Sequence, residues 1–392
     1  MFESLPPREE DSILRLMKLF ADDPRVGKID LGVGVYHDAQ GRTPIFAAVK
    51  EAESLLVRTQ ESKGYTGLTG APEFHAAMAG LVLGTTEQPI AACATPGGTG
   101  AVRQALELIK LAAGPARRVW LPNPSWINHA SIIDTLGIPR ATYRYFDAAT
   151  GGIDRAGLRA DLAEARPGDV VLLHGCCHNP TGADLTPQDW ADLTALLAER
   201  QLTPLIDLAY QGFGNGLEAD AAGLRAMVAA LPEALVTVSG SKNFGLYRER
   251  VGCILAPCKN AAHLATTQAA LAWLNRQAYA FPPDHGARVV TTILTTPELR
   301  ASWEAELEGM RLRIAANRTA LAGELRRLTG SDRFAALQDQ KGMFSCLGLS
   351  TDQVTKLRED HGVYMVEDSR INLAGLTDAT IPVAAEAIAA EL

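Results

Sequence analysis

The 392-residue sequence has few of the features that mark disulfide-stapled, metal-binding or nucleic-acid-binding proteins. Its six cysteines include no C-x-x-C pair, and the adjacent Cys176 and Cys177 suit neither a disulfide framework nor a zinc site. Basic residues are outnumbered, 37 against 45 acidic ones, and they form no run, which argues against phosphate-backbone binding. These absences predict reduced thiols, no metal site and no nucleic-acid partner.

Long apolar runs and targeting signals are also missing. No stretch approaches the roughly 18 consecutive apolar residues that a membrane-spanning helix needs. The N-terminus combines acidic residues with two prolines, and no basic segment leads into an apolar one as in a signal peptide. We therefore predict a cytoplasmic protein with no membrane partner.

Several common catalytic motifs are absent as well. The sequence contains no G-x-x-x-x-G-K-[ST], no G-x-S-x-G and no H-E-x-x-H. Gly32 and Gly34 lack the third glycine of a dinucleotide-binding loop. Hydride transfer and P-loop chemistry are therefore disfavoured.

Short apolar runs alternate with amphipathic stretches between residues 89 and 257. The runs are 90–95, 118–121, 170–174, 204–207, 235–239 and 252–256, and helical patterns such as 101–113 and 187–200 separate several of them. Thr186 before Pro187 predicts the start of the second of these helices. The rhythm predicts βαβ units and a mostly parallel sheet, followed from residue 296 by a long charged helix and a smaller α+β layer.

Three polar segments follow these runs, where a parallel α/β sheet binds its ligands. Residues 95–100, Thr-Pro-Gly-Gly-Thr-Gly, predict either a phosphate or carboxylate cradle or a plain glycine-rich turn. Asp207 predicts either a partner for a cation or protonated ring nitrogen, or a helix N-cap. Of nine lysines only Lys242 follows a buried-strand pattern within a Ser/Gly loop, which predicts a nucleophile, although a single lysine is more often a solvated surface residue.

Motifs spread over nearly the whole chain carry a resemblance to a known family. They are LGVGVY at 31–36, TPGGTGA at 95–101, NPSWINH at 123–129, HGCCHNPTG at 174–182, DLAYQGF at 207–213, SKNFGLY at 241–247, RVG at 250–252 and SRIN at 369–372. Together they resemble the class I, fold-type I aminotransferases that use pyridoxal phosphate (PLP), in the branch of the aspartate and aromatic amino acid aminotransferases, and are most like the aromatic ones.

The resemblance implies an α/β fold, the PLP-dependent transferase fold type I, with a mostly parallel seven-stranded sheet in a large domain and a smaller α+β domain. It implies an N-terminal arm at 1–12, a small domain at 13–44 and 311–392, and a large PLP-binding domain at 45–310. It also implies a homodimer with shared active sites.

The resemblance assigns roles toward the cofactor residue by residue. Lys242 would form the internal aldimine and then move the proton between the substrate Cα and the cofactor C4′. Asp207, supported by His129, would pair with the protonated pyridine nitrogen. The other implied contacts are Trp126 on the ring face, Asn179 and Tyr210 at the phenolate oxygen, and Gly98, Thr99, Ser239, Ser241, Arg250 and the partner subunit's Tyr65 at the phosphate.

The resemblance also assigns the substrate contacts. Arg370 would clamp the α-carboxylate, and Arg276 of the partner subunit would bind the side-chain carboxylate of aspartate or glutamate. Gly34, Trp126 and Asn179 would complete the substrate site. The implied reaction is ping-pong, in which an amino acid leaves as its 2-oxo acid and 2-oxoglutarate then collects the amine.

Arg276 does not choose between substrates, because aromatic members of this branch keep it for their glutamate half-reaction. Aspartate-specialised members have a lysine at His37, an asparagine at Gly64, and Ser-Asn at Ala280-Phe281. Each departure removes a polar group or adds an aromatic one, which favours a large apolar side chain. We predict an aromatic amino acid transaminase of broad specificity, acting on tyrosine, phenylalanine and also aspartate; aspartate aminotransferase is the alternative, followed by a PLP-dependent lyase or a non-catalytic PLP-binding regulator.

Overall fold

The computed structural model describes residues 1–5, 10–113 and 117–392, without the side chain of residue 113. These residues form two compact units. Unit 1 comprises Met1–Thr43, Arg313–Asp339 and Met343–Leu392, and unit 2 comprises Pro44–Leu312 and Gln340–Gly342. Within the predicted N-terminal arm at 1–12, residues 6–9 lie outside the described residues.

The helices and strands alternate over most of the described chain. The helices are α1 (Ser12–Asp22), α2 (Ala47–Thr59), α3 (Pro72–Leu83), α4 (Gly97–Ala113), α5 (Ile127–Thr135), α6 (Arg155–Leu162), α7 (Pro187–Arg200), α8 (Leu217–Ala230), α9 (Ala261–Ala278), α10 (His285–Thr295), α11 (Pro297–Thr329), α12 (Thr351–Glu359) and α13 (Thr380–Ala390). The strands are β1 (Ile29–Asp30), β2 (Ile90–Pro96), β3 (Val119–Asn123), β4 (Arg140–Arg144), β5 (Phe146–Asp147), β6 (Gly152–Ile153), β7 (Val170–His174), β8 (Thr203–Leu208), β9 (Leu235–Ser239), β10 (Val251–Pro257), β11 (Phe344–Cys346), β12 (Val363–Tyr364) and β13 (Arg370–Asn372).

Unit 2 is built on a seven-stranded sheet with the strand order β2-β10-β9-β8-β7-β3-β4. The pairs from β9 through β8, β7 and β3 to β4 are parallel, whereas β10 runs antiparallel to both β2 and β9. The predicted fold class, with its mostly parallel seven-stranded sheet, is confirmed. Because the central strands are parallel, their carboxyl ends lie at one edge of the sheet.

Apolar strands and helix faces form the core of unit 2. Leu172 and Leu205, opposite each other in β7 and β8, are fully buried, and Leu106 of α4 lies in the same cluster. Burying such side chains removes apolar surface from water, at about 25 cal/mol per Å². The position of each polar residue at the strand ends is therefore set by a tightly packed core.

Two helix starts show where local signals suffice and where they do not. Helix α7 begins as predicted, since Thr186 and Asp189 cap each other's backbone groups and Pro187 occupies the first turn. Helix α4 begins at Gly97, four residues before the predicted start at 101. Glycine is a poor helix former, so local propensity does not predict this first turn.

Unit 1 contains the smaller β-structure. Strand β1 pairs in parallel with β12, and β11 pairs antiparallel with β13. The C-terminal part of α11 holds this layer through buried polar side chains, because Arg318 donates to the Phe344 carbonyl and the Ser345 hydroxyl, each at 2.6 Å. Asn317 donates to the Leu373 carbonyl at 2.9 Å.

Residues 340–342 group with unit 2, although the predicted small domain extends unbroken from 311 to 392. The Lys341 N–H donates to the Gly182 carbonyl at 2.7 Å, and the Gln340 amide donates to the Gly151 carbonyl at 2.9 Å. These bonds to distant segments draw the three residues out of the predicted small domain; the predicted domain bounds otherwise stay a prediction. None of the helices in the described part of the chain combines the length and apolar character that crossing a bilayer requires.

Candidate active site

Polar residues gather at the carboxyl ends of three neighbouring parallel strands. Strand β7 ends at His174, β8 carries Asp207 next to its last residue, and β9 ends at Ser239. In the sheet register His174 lies opposite Asp207, and Asp207 lies opposite Thr237. The structure therefore places these side chains where the sequence analysis expected ligand chemistry.

Asp207 keeps a charged carboxylate although its side chain is only 11% exposed. Its Oδ2 lies 3.1 Å from His129 Nε2, and its Oδ1 accepts a hydrogen bond from the Thr237 hydroxyl at 2.8 Å. Burial alone would raise the pKa of Asp207. Its contacts with His129, and to a smaller extent with His174 and Thr237, outweigh burial and bring that pKa below its ordinary value. An ionised, shielded carboxylate of this kind suits a cationic partner.

A chain of hydrogen bonds connects Asp207 through His129 and Ser125 to His174. The Asn179 backbone N–H donates to His174 Nδ1 at 3.2 Å, so the His174 proton lies on Nε2. That atom is 3.3 Å from Ser125 Oγ, which is 2.9 Å from His129 Nδ1. The Ser125 hydroxyl thereby links the His174 ring to the His129 ring, whose Nε2 lies against Asp207.

Ser125, His174 and Thr237 are site residues that the sequence analysis did not single out. A signal was present for two of them, because His174 ends a predicted strand and Ser125 lies within the NPSWINH segment. Burial lowers the pKa of His174 to about 3, so this ring is neutral near pH 7. The His174 ring is therefore a neutral member of the network behind the Asp207 carboxylate.

Lys242 lies in the loop that follows β9. Its Nζ is 4.9 Å from the centroid of the Tyr210 ring, so these two predicted site residues are neighbours. The backbone after the lysine is anchored, since Trp303 Nε1 donates to the Asn243 carbonyl at 2.6 Å and stacks on Phe244 with ring centroids 4.5 Å apart. The fold therefore holds an amine at the carboxyl end of β9.

The first turn of α4 and the loop after β9 form a cradle. Gly97 has φ +72°, and a Cβ there would overlap the Arg250 guanidinium; a Cβ on Gly98 would come within 2.8 Å of the Ser239 side chain. Only glycine permits this close approach. Arg250 Nη1 lies 3.4 Å from Ser241 Oγ, and in the described residues no carboxylate pairs with this guanidinium. A cation without an acidic partner, beside hydroxyls and a helix N-terminus, suits a dianion.

Three further predicted residues lie on the elements around this site. Trp126 precedes α5 and sits edge-on to His129, with ring centroids 5.1 Å apart. Asn179 is buried in the segment after β7, where its backbone contacts His174. Thr99 lies in the first turn of α4, whose N–H groups have no partner within the helix.

Tyr65 and Arg276 lie in a separate, exposed group. The Tyr65 side chain is 87% exposed and its ring stacks on Phe281 with centroids 4.6 Å apart. The Arg276 guanidinium is 5.9 Å from the centroid of the same Phe281 ring. We call Tyr65, Arg276 and Phe281 the α9-end cluster.

Gly34 and Arg370 belong to unit 1 and meet there around one aromatic ring. The Arg370 guanidinium is 4.5 Å from the Phe344 ring centroid, and a Cβ on Gly34 would come within 3.1 Å of that ring. Arg370 donates to the Gly32 carbonyl at 2.8 Å, while its Nε is buried and has no hydrogen-bond partner among the described residues. A buried guanidinium N–H of this kind is suited to donate a hydrogen bond to an anion such as a carboxylate.

Known proteins resemble this chain along its whole length. Residues 26–388 match the family described as aminotransferase class I and II. The aromatic-amino-acid aminotransferase of Paracoccus denitrificans is 56% identical over 390 residues, 99% of each chain, and the aspartate aminotransferase of Salmonella typhi is 44% identical over 401 residues, 100% of each. The structure of an aromatic-amino-acid aminotransferase from Burkholderia pseudomallei, covalently bound to pyridoxal phosphate, matches with a TM-score of 0.97 and 38% identity, over 100% of this chain and 99% of that one.

The predicted family is confirmed by these matches, and the geometry is consistent with its cofactor. The cradle would accept a phosphate, and the buried carboxylate would accept a protonated ring nitrogen. With the match running from residue 26 to residue 388 and more than half of the positions identical to one relative, the chain belongs to the class I and II aminotransferases and is a pyridoxal phosphate-dependent transaminase.

Proposed function

We propose that this enzyme is an aromatic amino acid transaminase of broad specificity, which acts on tyrosine, phenylalanine and also aspartate and uses 2-oxoglutarate as amino acceptor. The observation that carries the proposal is the α9-end cluster, in which an aromatic ring, Phe281, lies beside the cation Arg276. Relatives named for aromatic amino acids support it, among them one at 56% identity. We also propose that the enzyme works in the cytoplasm as a homodimer.

PLP would be held at its two ends by residues of unit 2. Arg250, Ser239 and Ser241, with the first turn of α4, would bind the phosphate through charge-assisted hydrogen bonds. Asp207 would accept a hydrogen bond from the protonated pyridine nitrogen, because its carboxylate stays ionised. When bound, PLP supplies an aldehyde that condenses with amines and a ring that withdraws electrons from the substrate Cα.

Lys242 would provide the reacting amine and the acid–base group. Its Nζ would take the proton from the substrate Cα and deliver it to the cofactor C4′, so one positioned group serves both transfers. The anchored backbone at Asn243 limits the displacement of the Lys242 amine, which favours proton transfer over a short distance. Tyr210, 4.9 Å away at its ring centroid, would help to orient the reacting groups.

The network behind Asp207 would keep the ring-binding carboxylate charged. His129 would present an N–H to Asp207, and Ser125 and His174 would hold His129 in the tautomer that does so. The Asn179 backbone N–H would hold His174 Nδ1 as an acceptor at one end of this network. Trp126 would cover the ring face next to His129.

Two arginines would read the substrate. Arg370 would bind the α-carboxylate common to every amino acid, and its buried Nε, without a partner in the described part of the chain, supports this role. Arg276 and Tyr65 are exposed in the single chain, which supports their service in the site of a partner subunit. Arg276 would pair with the side-chain carboxylate of aspartate or glutamate, while the neighbouring Phe281 would favour aromatic side chains.

Aspartate aminotransferase is the second candidate, and relatives with that name at 44% identity favour it. Steady-state kcat/KM values for phenylalanine, tyrosine and aspartate, each with 2-oxoglutarate, separate the two. We expect the aromatic values to equal or exceed the aspartate value. An aspartate value above both by about tenfold or more, equivalent to 1.4 kcal/mol of transition-state binding, would establish the second candidate.

Arg276→Ala sharpens the same test. We expect kcat/KM for aspartate and glutamate to fall about 10- to 100-fold more than that for phenylalanine, because only the dicarboxylates lose a charge-assisted contact. Arg103→Ala, which removes an exposed arginine paired with Glu107, is the matched control and should change none of them. Equal losses for all three substrates would show that Arg276 has a structural role only.

A further inference from the structure

One buried amide side chain at the end of α9 contacts three separate segments. Asn275 directly precedes Arg276 and is 0% exposed. Its Nδ2 donates to the Leu68 carbonyl at 2.8 Å and lies 2.9 Å from Cys93 Sγ. Its Oδ1 accepts a hydrogen bond from Gln104 Nε2 at 2.6 Å. A short polar side chain therefore joins the segment before α3, the strand β2 and the helix α4.

Each of these contacts leads to a residue with a proposed ligand-binding role. Leu68 follows Tyr65 by three residues. Cys93 lies in β2, which runs directly into the cradle at Gly97. Gln104 lies in α4, whose first turn forms that cradle. Asn275 thus anchors the end of α9 and the segment after Tyr65 to β2 and α4, the elements that also carry the cradle.

Asn275 also fixes how the chain leaves α9. Its backbone carbonyl accepts the N–H groups of Tyr279 at 3.0 Å and Ala280 at 2.9 Å, and its Oδ1 accepts the Tyr279 hydroxyl at 2.5 Å. Ala280 takes a left-handed φ of +63°, which turns the chain. The turn delivers Phe281 to its place beside the Arg276 guanidinium.

A second amide one heptad earlier shows how α9 is seated on the sheet. Strand β2 is at the edge of the sheet, so one side of its backbone lacks a neighbouring strand. The Gln268 amide accepts the Ala92 N–H and donates to the Ala92 carbonyl, both at 2.9 Å. Gln268 therefore binds the same strand as Asn275 but lies two turns away from Arg276 and does not contact the chain exit from α9.

We propose that Asn275 is a positioning residue for dicarboxylate recognition, holding the Arg276 guanidinium, Phe281 and the Tyr65 segment in fixed positions relative to one another. The inference rests on the proposed role of Arg276 as the side-chain carboxylate ligand. An apolar residue of similar size would leave the Leu68 carbonyl, the Gln104 amide and the Tyr279 hydroxyl without this buried partner, and the segments that carry them would shift to find others. Small displacements of a charged group weaken its contact with a ligand strongly.

The test measures equilibrium binding of two unreactive acids to the PLP-loaded enzyme, with no turnover. Glutarate probes the site for a dicarboxylate, and 3-phenylpropionate probes it for an aromatic monocarboxylate; the change in cofactor absorbance reports both. We compare Asn275→Leu, Tyr279→Phe, Gln268→Leu and Arg276→Ala with the parent enzyme. Gln268→Leu is the matched control, because it removes two hydrogen bonds between α9 and β2 but leaves the end of α9 intact.

We expect Asn275→Leu to weaken glutarate binding about tenfold more than 3-phenylpropionate binding, as for the misplacement of one charge-assisted contact. Tyr279→Phe, which removes only one hydroxyl and keeps the packing, should shift the same ratio in the same direction by about two- to threefold. Gln268→Leu should leave the ratio unchanged. If Asn275→Leu does not fold, the comparison of Tyr279→Phe with Gln268→Leu decides.

Two results would overturn the inference. One is an unchanged ratio in Asn275→Leu and Tyr279→Phe while Arg276→Ala still discriminates between the acids. The other is an equal shift of the ratio in Gln268→Leu, which would make the effect one of general packing. If Arg276→Ala itself binds both acids with unchanged relative affinity, the proposed role of Arg276 fails, and this outcome is distinct from the first two.

Discussion

The network behind Asp207 and the α9-end cluster treat charge in opposite ways. Asp207 is 11% exposed, and both of its oxygens have hydrogen-bond partners within the same unit. Arg276 is exposed to solvent, and its neighbours in the α9-end cluster are aromatic. In the network behind Asp207 the charge already has its hydrogen-bond partners, whereas the α9-end cluster presents a cation and two aromatic rings at the surface.

The difference separates the two parts of the chemistry. Groups that act on the cofactor ring must be preorganised, since a buried charge without partners is costly. Groups that select a substrate can remain exposed until another surface covers them, as we propose for a second subunit. A change in the first region should affect every substrate, whereas a change in the second should affect one class.

Removal of the reacting amine is expected to have the largest effect and to affect aromatic and acidic substrates equally. Lys242→Ala should remain folded and lose about 10⁴-fold in kcat for aromatic and acidic substrates alike, because one group moves the proton in every case. Steady-state assays with circular dichroism as a folding check measure this. Lys259→Ala, at an exposed lysine, is the control. Ordinary multiple turnover in Lys242→Ala would contradict the assignment.

Neutralising the buried carboxylate tests the first region alone. Asp207→Asn should lower kcat/KM for phenylalanine and aspartate by a similar factor, about 10²- to 10³-fold. A neutral amide cannot stabilise the positive charge of the protonated pyridine nitrogen as a carboxylate would. The ratio of the two substrates is the decisive measurement. A loss confined to aspartate would show that Asp207 acts on the substrate and not on the cofactor.

The cradle should show an intermediate effect on binding. Arg250→Ala is expected to weaken PLP affinity about 10- to 100-fold, the range for a lost charge-assisted hydrogen bond. Equilibrium dialysis of the cofactor measures it, with Arg103→Ala as the exposed control. Unchanged affinity would mean that the phosphate binds elsewhere.

A last effect concerns the pH dependence of stability. The pKa of His174 is lowered to about 3 in the folded chain, and the unfolded value is about 6.5. Between these values the unfolded chain binds a proton that the folded chain does not, so stability is present above the unfolded pKa and is lost as pH falls, by up to about 1.4 kcal/mol per pH unit. His174→Gln should therefore show a shallower decline in the free energy of unfolding from about pH 6 to about pH 4. Parallel curves for the two proteins would contradict this.

Some parts of the site could be predicted because their signals are local. A glycine-rich segment at 95–100 after an apolar run predicted a cradle or a plain turn, and Lys242 in a Ser/Gly loop predicted a nucleophile or a surface lysine; the family resemblance favoured the first of each pair. Asp207 was predicted at the end of a strand, and that strand lies at the centre of the sheet. The roles of these residues stay predictions until they are tested.

Other parts could not be predicted because they depend on register between distant segments. Thr237 faces Asp207 only because β8 and β9 pair in one register. Asn275 reads as an ordinary polar residue on a helix, yet in the fold it is fully buried and bonded to three other segments.

The order of apolar runs, glycines and charged residues by itself determined an α/β chain with a mostly parallel sheet, with Lys242, Asp207 and a glycine-rich segment after its strands. Periodicity and the conformational freedom of glycine act over a few residues, so the sequence shows them directly. Only the tertiary structure decided which carboxylate oxygens are bonded, which histidine rings lie against them and which cation stays exposed. Those properties arise from strand pairing and burial, which bring together residues that are far apart along the chain.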